Sequence, residues 1–277
     1  MTKTKWNPEI DRAVSDISTN KILRHTCQFF APNKKTKNSE LTPYGSGVFV
    51  EVLGEHFIIT ASHVAEYLYE DQLFIRINKT KYVSVVGEVA TSAIDSQERV
   101  DLAIIKIDSR ILPDLLRPYI FLPLEKFRSH NLLPDVTQYC IIGYPEVNQK
   151  RENGILETGA EAFYTVASKA NVYEYYKLNP QHVYALTLQR KGISLESGDK
   201  VKVNTKVHGM SGCGLWLLIP SLEDEVYSVD YRLIGIMTEY RQGKYFCLIG
   251  NKISLVISAL REIVGLPIVD VRIPRDL

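Results

Sequence analysis

Ser211 lies in the stretch KVHGMSGCGLWLL (residues 206–218), among three glycines and one cysteine, just ahead of a run of apolar residues. A serine hydroxyl is barely nucleophilic at neutral pH. It becomes so when a base stands within hydrogen-bond reach and a third group orients that base. Taken alone, the stretch describes a tight turn feeding a buried strand equally well. The chain has six histidines, His25, His56, His63, His130, His182 and His208, and all of them precede Ser211. The order serine, acid, histidine of the α/β-hydrolases is therefore excluded, and GMSGC also departs from the GxSxG elbow.

A base must then come from upstream. His63 follows the apolar run HFIITAS and opens HVAEYL, a place where a rigid strand could aim it. Asp101 heads VDLAIIKI, where a carboxylate beside a buried strand is costly unless a partner compensates it. Singly, His63 also reads as a satisfied cap and Asp101 as a turn residue. Together they supply the base and the orienting acid that a nucleophilic Ser211 requires.

The elements that must position them are short β-rich runs bounded by turn residues. Ile22–Phe30, Gly45–Val52, His56–Ala61, Leu73–Ile77, Tyr82–Val89 and Val100–Ile107 form a first lobe of six strands. The segment 108–124 carries Pro113, Pro118 and Pro123 and reads as a strap between lobes. A second series follows with Thr137–Gly143, Ala160–Ala167, His182–Leu188, Gly214–Ile219, Arg232–Glu239 and Tyr245–Ile249. A helix over Lys252–Val264 then ends at Gly265-Leu266-Pro267. Tyr173, Tyr175 and Tyr176 form a dense aromatic patch expected to pack inward or against a loop.

Three blocks in this order, GSGVFVEVLGEHFIITASHV (45–64), VDLAIIKI (100–107) and GMSGCGLW (209–216), resemble the signature blocks of the trypsin-like (chymotrypsin-fold) serine peptidases. The resemblance extends from about residue 22 to residue 264. It implies an all-β fold of two six-stranded antiparallel barrels with the active site between them and a C-terminal helix. The expected organisation is an N-terminal extension (1–21), a first barrel (22–107), the strap (108–124), a second barrel (125–250) and a C-terminal helix and tail (251–277). On the same resemblance His63 is general base and acid, Asp101 its orienting partner and Ser211 the nucleophile of a serine endopeptidase. The Gly209 and Ser211 amides would form the oxyanion hole. Thr238 would donate its hydroxyl toward Asp101, and Thr238, Glu239 and Tyr240 would wall the substrate pocket, with Thr205 at its base. No carboxylate stands at Thr205, which disfavours cleavage after Lys or Arg, and Tyr240 would narrow the pocket. His208, three residues before Ser211, reads as a surface loop residue with substrate contact as the alternative.

Met210 occupies the position at which secreted members carry an aspartate that pairs with a newly cleaved amino terminus, so activation of that kind is not expected. Val64 stands where disulfide-bonded members have a cysteine. The resemblance is accordingly to an intracellular, bacterial-type branch. Cys213 replaces a usual glycine; as a lone cysteine leading into an apolar run it reads as a core thiol, with a catalytic thiol as the alternative. The competing function is a protease-fold binding or sensing module of weak or no activity.

The 277 residues carry 33 basic and 32 acidic groups for a net charge of +1, which gives no field favouring nucleic acid or an anionic membrane. Lys34, Lys35 and Lys37 read as a solvated loop. The four cysteines, Cys27, Cys140, Cys213 and Cys247, form no CxxC pair, so neither a metal site nor a disulfide framework is expected. The start MTKTKWNPEIDRAVSDISTNK lacks the apolar core of a signal peptide, and no later run is long and uncharged enough for a membrane helix. The expectation is a cytoplasmic protein without cofactor, acting on a protein or peptide substrate, and by analogy with intracellular members a regulatory protein partner.

Overall fold

The computed structural model describes residues 8–34, 40–92, 100–133, 139–146, 149–152, 155–194, 200–202, 207–223, 226–263 and 265. In the first half, helix α1 (Pro8–Asn20) leads through a 3-10 turn to β1 (Thr26–Pro32), β2 (Leu41–Val52) and β3 (Glu55–Thr60). The one-turn helix α2 (Ser62–Ala65), β4 (Phe74–Arg76), β5 (Tyr82–Ser84), β6 (Gly87–Thr91) and β7 (Ala103–Ile107) follow. The strap holds α3 (Leu112–Leu115) and the short β8 (Leu122–Pro123), which pairs in parallel with β2. The second half contains β9 (Tyr139–Gly143), β10 (Gln149–Glu152), β11 (Ile155–Thr158), β12 (Glu161–Ala167), α4 (Ala170–Tyr176), β13 (Val183–Ser194) and β14 (Lys200–Lys202). It ends with β15 (Gly214–Glu223), β16 (Val226–Gln242), β17 (Phe246–Lys252) and α5 (Ile253–Ile263).

Two large antiparallel sheets result, beside the separate two-stranded pair β10-β11. The first runs β5-β4-β1-β2-β3-β7-β6. The single strand expected over Tyr82–Val89 is thus two, because the chain changes partner in the middle. Val85 N–H donates to Leu73 O on the β4 side, and Val86 O accepts from Asp108 N–H beyond β7. At that corner a Cβ on Gly87 would come within 2.0 Å of Lys106 O, so only glycine lets β6 lie this close to β7. The sheet's two end strands are therefore consecutive pieces of one bent segment. In the second sheet, β12 pairs with both β9 and β13, and the circuit β12-β9-β15-β16-β17-β13 closes on itself.

Consecutive rather than alternate residues are apolar in many strands. Val48-Phe49-Val50, Phe57-Ile58-Ile59 and Cys140-Ile141-Ile142 are all fully buried. Each such strand has two covered faces. Phe49, Ile58 and Ile105 line the interior of the first sheet with Cys27, Phe29 and Val64. Val48, Val50, Ile59 and Ile104 instead join Cys140, Ile142, Trp216 and Ile236 in a cluster shared by the two sheets. Tyr139, Ile141, Leu215, Ile234 and Met237 fill the second interior. A one-residue slip of any of these strands would exchange the two faces, so the register is strongly specified.

Residues 8–20, expected within an extension, form a helix whose Ile10, Val14 and Ile17 recur at helical spacing and are buried in the shared cluster. Pro8 stands at its first position, where a missing N–H has no intrahelical role. His25 bridges the same region, its Nδ1 2.7 Å from Ile120 O in the strap and its Nε2 2.8 Å from the Tyr231 hydroxyl on β16. Of the aromatic patch, Tyr173 accepts from Ala185 N–H at 2.8 Å and Tyr176 donates to Tyr245 O at 2.6 Å, which docks α4 onto the second sheet. Tyr175 is exposed, edge-on to Tyr176 and Tyr245.

Candidate active site

β3 ends at Thr60, and an extended Ala61 (ψ 144°) turns the chain into α2, which carries His63 at the margin of the first sheet. Asp101 lies just before β7, the strand paired with β3, so the sheet's own register brings the two side chains together. Asp101 Oδ2 is 2.7 Å from His63 Nδ1, and Oδ1 accepts from the His63 backbone N–H at 3.1 Å. The acid thus grips both the ring and the main chain of the histidine. Its own N–H donates to Asn251 Oδ1 on β17 at 3.0 Å, a tie to the second sheet.

The hydrogen bond to Asp101 holds the His63 pKa above its ordinary value. Partial burial opposes this, while the charges of Asp101, Glu66 and Glu239 add to the rise. When the ring is neutral and Nδ1–H is given to Asp101, the lone pair lies on Nε2, the tautomer a general base needs.

The turn bearing Ser211 is built from main-chain hydrogen bonds. Met210 N–H donates to Val207 O, Gly212 N–H to Met237 O and Cys213 N–H to Met210 O, at 3.3, 2.7 and 3.0 Å. The amides of Gly209 and Ser211 have no acceptor among the described residues. Both peptide units are nonetheless held by their carbonyl ends. His208 O accepts from Glu146 N–H at 2.8 Å, which sets the direction of the Gly209 N–H, and Met210 O, bonded to Cys213 N–H, does the same for Ser211. Two fixed, unpaired N–H groups flanking a serine are equipped to receive an oxyanion. Gly209 adopts φ +86°, and a Cβ there would meet Tyr144 O at 2.8 Å.

Ser46 stitches this turn to the first sheet. Its N–H donates to Ser211 O at 2.7 Å and its hydroxyl to Gly209 O at 2.8 Å, while Thr60 donates to Ser46 O at 2.7 Å. Gly212 closes the seam at φ +90°; a Cβ there would lie 1.9 Å from Ser46 O.

The Ser211 hydroxyl donates to Thr238 O at 3.3 Å, so in this structure it is turned to β16 and shares no hydrogen bond with His63. Ser211, Thr238, Glu239 and Tyr240 line one narrow cleft of about 20 Å³, room for about one water molecule, whose remaining described walls are Ile141, Val207, Met210, Met237 and Leu248. Thr205 lies outside the described residues. One expectation needs correction: the Thr238 hydroxyl donates to Ile249 O at 3.4 Å instead of pointing toward Asp101. The neighbouring β17 strand supplies that acceptor, and Asp101 is engaged by His63 instead.

Met210 is buried in the second interior, its Sδ 2.9 Å from where a Cβ on Gly143 would stand. A carboxylate could not occupy this apolar site without heavy desolvation. Cys213 is wholly buried in the same interior, and burial pushes its thiol pKa far up, so it packs as a small hydrophobe. All four cysteines are free.

Ser46, Asn251 and Glu146 were given no role on sequence grounds. Ser46 offered a signal, sitting between two glycines directly before an apolar strand. A Cβ on Gly45 or Gly47 would come within 2.8 Å or 2.7 Å of packed side chains, so the pair marks a close approach. Asn251 and the Glu146 amide offered none. Among the described residues no group of three or more His, Cys, Asp and Glu side chains could hold a metal ion, and no helix is long and apolar enough to cross a membrane.

No protein-family model matches the chain, and no curated protein matches it in sequence. Solved structures do. Kallikrein-related peptidase 10 superposes with a TM-score of 0.50 at 14% identity, over 87% of this chain and 96% of that one. Neuropsin, a serine protease expressed in the limbic system of mouse brain, gives 0.49 at 17% identity, over 87% and 94%. At 14% identity, the match to kallikrein-related peptidase 10 is one of fold, and the fold is that of the trypsin-like serine proteases.

Proposed function

We propose that this protein is a serine endopeptidase in which His63, Asp101 and Ser211 form the triad. The observation that carries the reading is the turn around Ser211, where the Gly209 and Ser211 amides are fixed in direction yet have no acceptor among the described residues. Gly209 and Ser211 are only half-buried, so water can meet these donors in the free protein and a substrate oxygen can take its place.

The reaction follows from the parts. On substrate binding the Ser211 hydroxyl leaves the Thr238 carbonyl and turns to His63 Nε2; catalytic hydrogen bonds commonly tighten only in the complex. Oγ bonds to the scissile carbonyl carbon as its proton passes to Nε2, and the carbonyl oxygen becomes an oxyanion held by the Gly209 and Ser211 N–H groups. Asp101 stabilises the imidazolium so formed. The C–N bond breaks, the leaving amine takes the proton from Nε2, and an acyl ester on Ser211 remains. Water then repeats the sequence, giving its proton to His63 and releasing the acid and the free serine. The four free cysteines favour a reducing compartment, the cytoplasm.

The test is labelling by a fluorophosphonate probe. Wild type is labelled, Ser211→Ala is not, and His63→Ala is labelled far more slowly. Equal labelling of wild type and Ser211→Ala overturns the reading. It would favour the second one, a protease-fold binding module, which draws on the Ser211 hydroxyl being given to Thr238 rather than to His63.

A further inference from the structure

The cleft beside Ser211 has two walls from distant parts of the chain, the turn 207–211 and the end of β16 at 237–240. A side-chain hydrogen bond ties the two together: the Tyr240 hydroxyl lies 2.9 Å from His208 Nε2. The rings also meet edge to face, with centroids 5.1 Å apart and planes at 86°. Tyr240 leans on Phe246 behind it at 6.1 Å, while His208 is exposed and immediately precedes Gly209. Tyr240 lines the cleft and His208 adjoins the lining residue Val207, so a bond between them restricts what can enter beside Ser211.

The chemistry within is as informative as the tie across it. Apart from Ser211, Thr238, Glu239 and Tyr240, the described lining of the cleft is Ile141, Val207, Met210, Met237 and Leu248, all apolar. Glu239 is its one carboxylate among the described residues, and Arg241 already holds that group at 2.7 Å. Among the described residues no free anion is left there to meet a lysine or arginine side chain, and an acidic side chain would lose its water against methionine and isoleucine. Burial of aliphatic surface is the interaction this lining offers.

We propose that His208 and Tyr240 form a gate across the cleft beside Ser211, and that the side chain which opens and fills it is a flexible aliphatic one, leucine or methionine, of an extended peptide. The proposal rests on the peptidase reading of Ser211. The closed form is held by one hydrogen bond and one aromatic contact, so an aliphatic side chain whose burial outweighs them shifts the population to the open form. A side chain too small or too polar does not. Selectivity then comes from the cost of opening as much as from contacts inside.

Binding to Ser211→Ala tests the gate without requiring turnover. The probes are acetylated tetrapeptides identical except for a C-terminal leucine, alanine, aspartate or lysine, measured by calorimetry. The leucine peptide binds tightest. Tyr240→Phe, which keeps the ring and deletes the hydroxyl, tightens it about fivefold, the factor one hydrogen bond is worth. His208→Ala tightens it as well, and the double variant gains no more than the better single one, because both delete the same bond. Equal binding of all four peptides, or independent additive effects of the two substitutions, overturns the proposal. Fluorophosphonate labelling of the wild type reads the peptidase hypothesis separately. Labelling without the leucine preference sinks the gate alone, and leucine-selective binding without labelling sinks the peptidase alone.

Discussion

Replacing Asp101 by asparagine removes one charge and changes almost no volume, which makes it a sharp probe of the site. Oδ1 of the new amide can still accept the His63 backbone N–H, now at 3.1 Å. The other atom, 2.7 Å from His63 Nδ1, becomes an NH2 group and can only donate. Nδ1 must then carry the lone pair and Nε2 the proton, so the ring presents a donor where the serine needs an acceptor. Loss of the base in this way costs roughly 10⁴-fold in kcat, or about 5.4 kcal/mol at 1.36 kcal/mol per tenfold. The pH profile moves too. The bond to Asp101 is the largest cause of the raised His63 pKa and burial opposes it, so the acidic limb of kcat/KM lies above 6.5 in the wild type and shifts to lower pH in the variant. The sign for stability is consistent: a raised folded pKa contributes stability below 6.5 that is lost as pH rises through the folded value. The assay is kcat/KM on a fluorogenic peptide across about pH 5 to 9, with protein concentration set by titration of active sites. A variant that keeps more than about a tenth of wild-type activity with an unmoved acidic limb refutes the assigned roles of both residues.

Two further outcomes follow from the packing. Gly212→Ala places a methyl group 1.9 Å from Ser46 O at φ +90°, so it should lower stability by about 3 kcal/mol or more and release the turn from the first sheet. Thermal melting checks this, and an unchanged Tm contradicts the seam. His25, buried between Ile120 O and Tyr231, has its pKa lowered to about 4 by burial, with Arg24 and Lys126 assisting and the Ile120 bond opposing. A lowered folded pKa means stability present above 6.5 and lost as pH falls toward 4, up to about 3 kcal/mol. Urea midpoints at successive pH values should show this slope in wild type and a shallower one in His25→Gln.

Much of the fold was legible because its strands announce themselves. Segments such as Val48-Phe49-Val50 and Phe57-Ile58-Ile59 are apolar without interruption, and short apolar runs between turn residues read as strands however they pack. The division of Tyr82–Val89 was not legible. Val85 and Val86 are equally β-prone, and only the positions of Leu73 O and Asp108 N decide that the backbone changes partner between them. Helix α1 goes unread in the expected extension over 1–21: Ile10, Val14 and Ile17 keep helical spacing, but nothing local says that this face enters the shared core.

The site divides along the same line. Residue types and chain order, read with the family resemblance, single out His63, Asp101, Ser211 and Gly209 for the proposed roles, because that chemistry demands a base, an acid, a nucleophile and a residue that tolerates positive φ. Tertiary structure alone decided how those groups are held. Glu146 aims the Gly209 amide, Ser46 joins the Ser211 turn to the opposite sheet, and Asn251 anchors Asp101 across the two halves. It also turned the Thr238 hydroxyl away from Asp101 and tied His208 to Tyr240. The physical reason is range. Side-chain chemistry and backbone propensity belong to each residue and are carried by the sequence directly, whereas a hydrogen bond between residues 163 positions apart, as between Ser46 and Gly209, exists only once two packed sheets have set the distance between them.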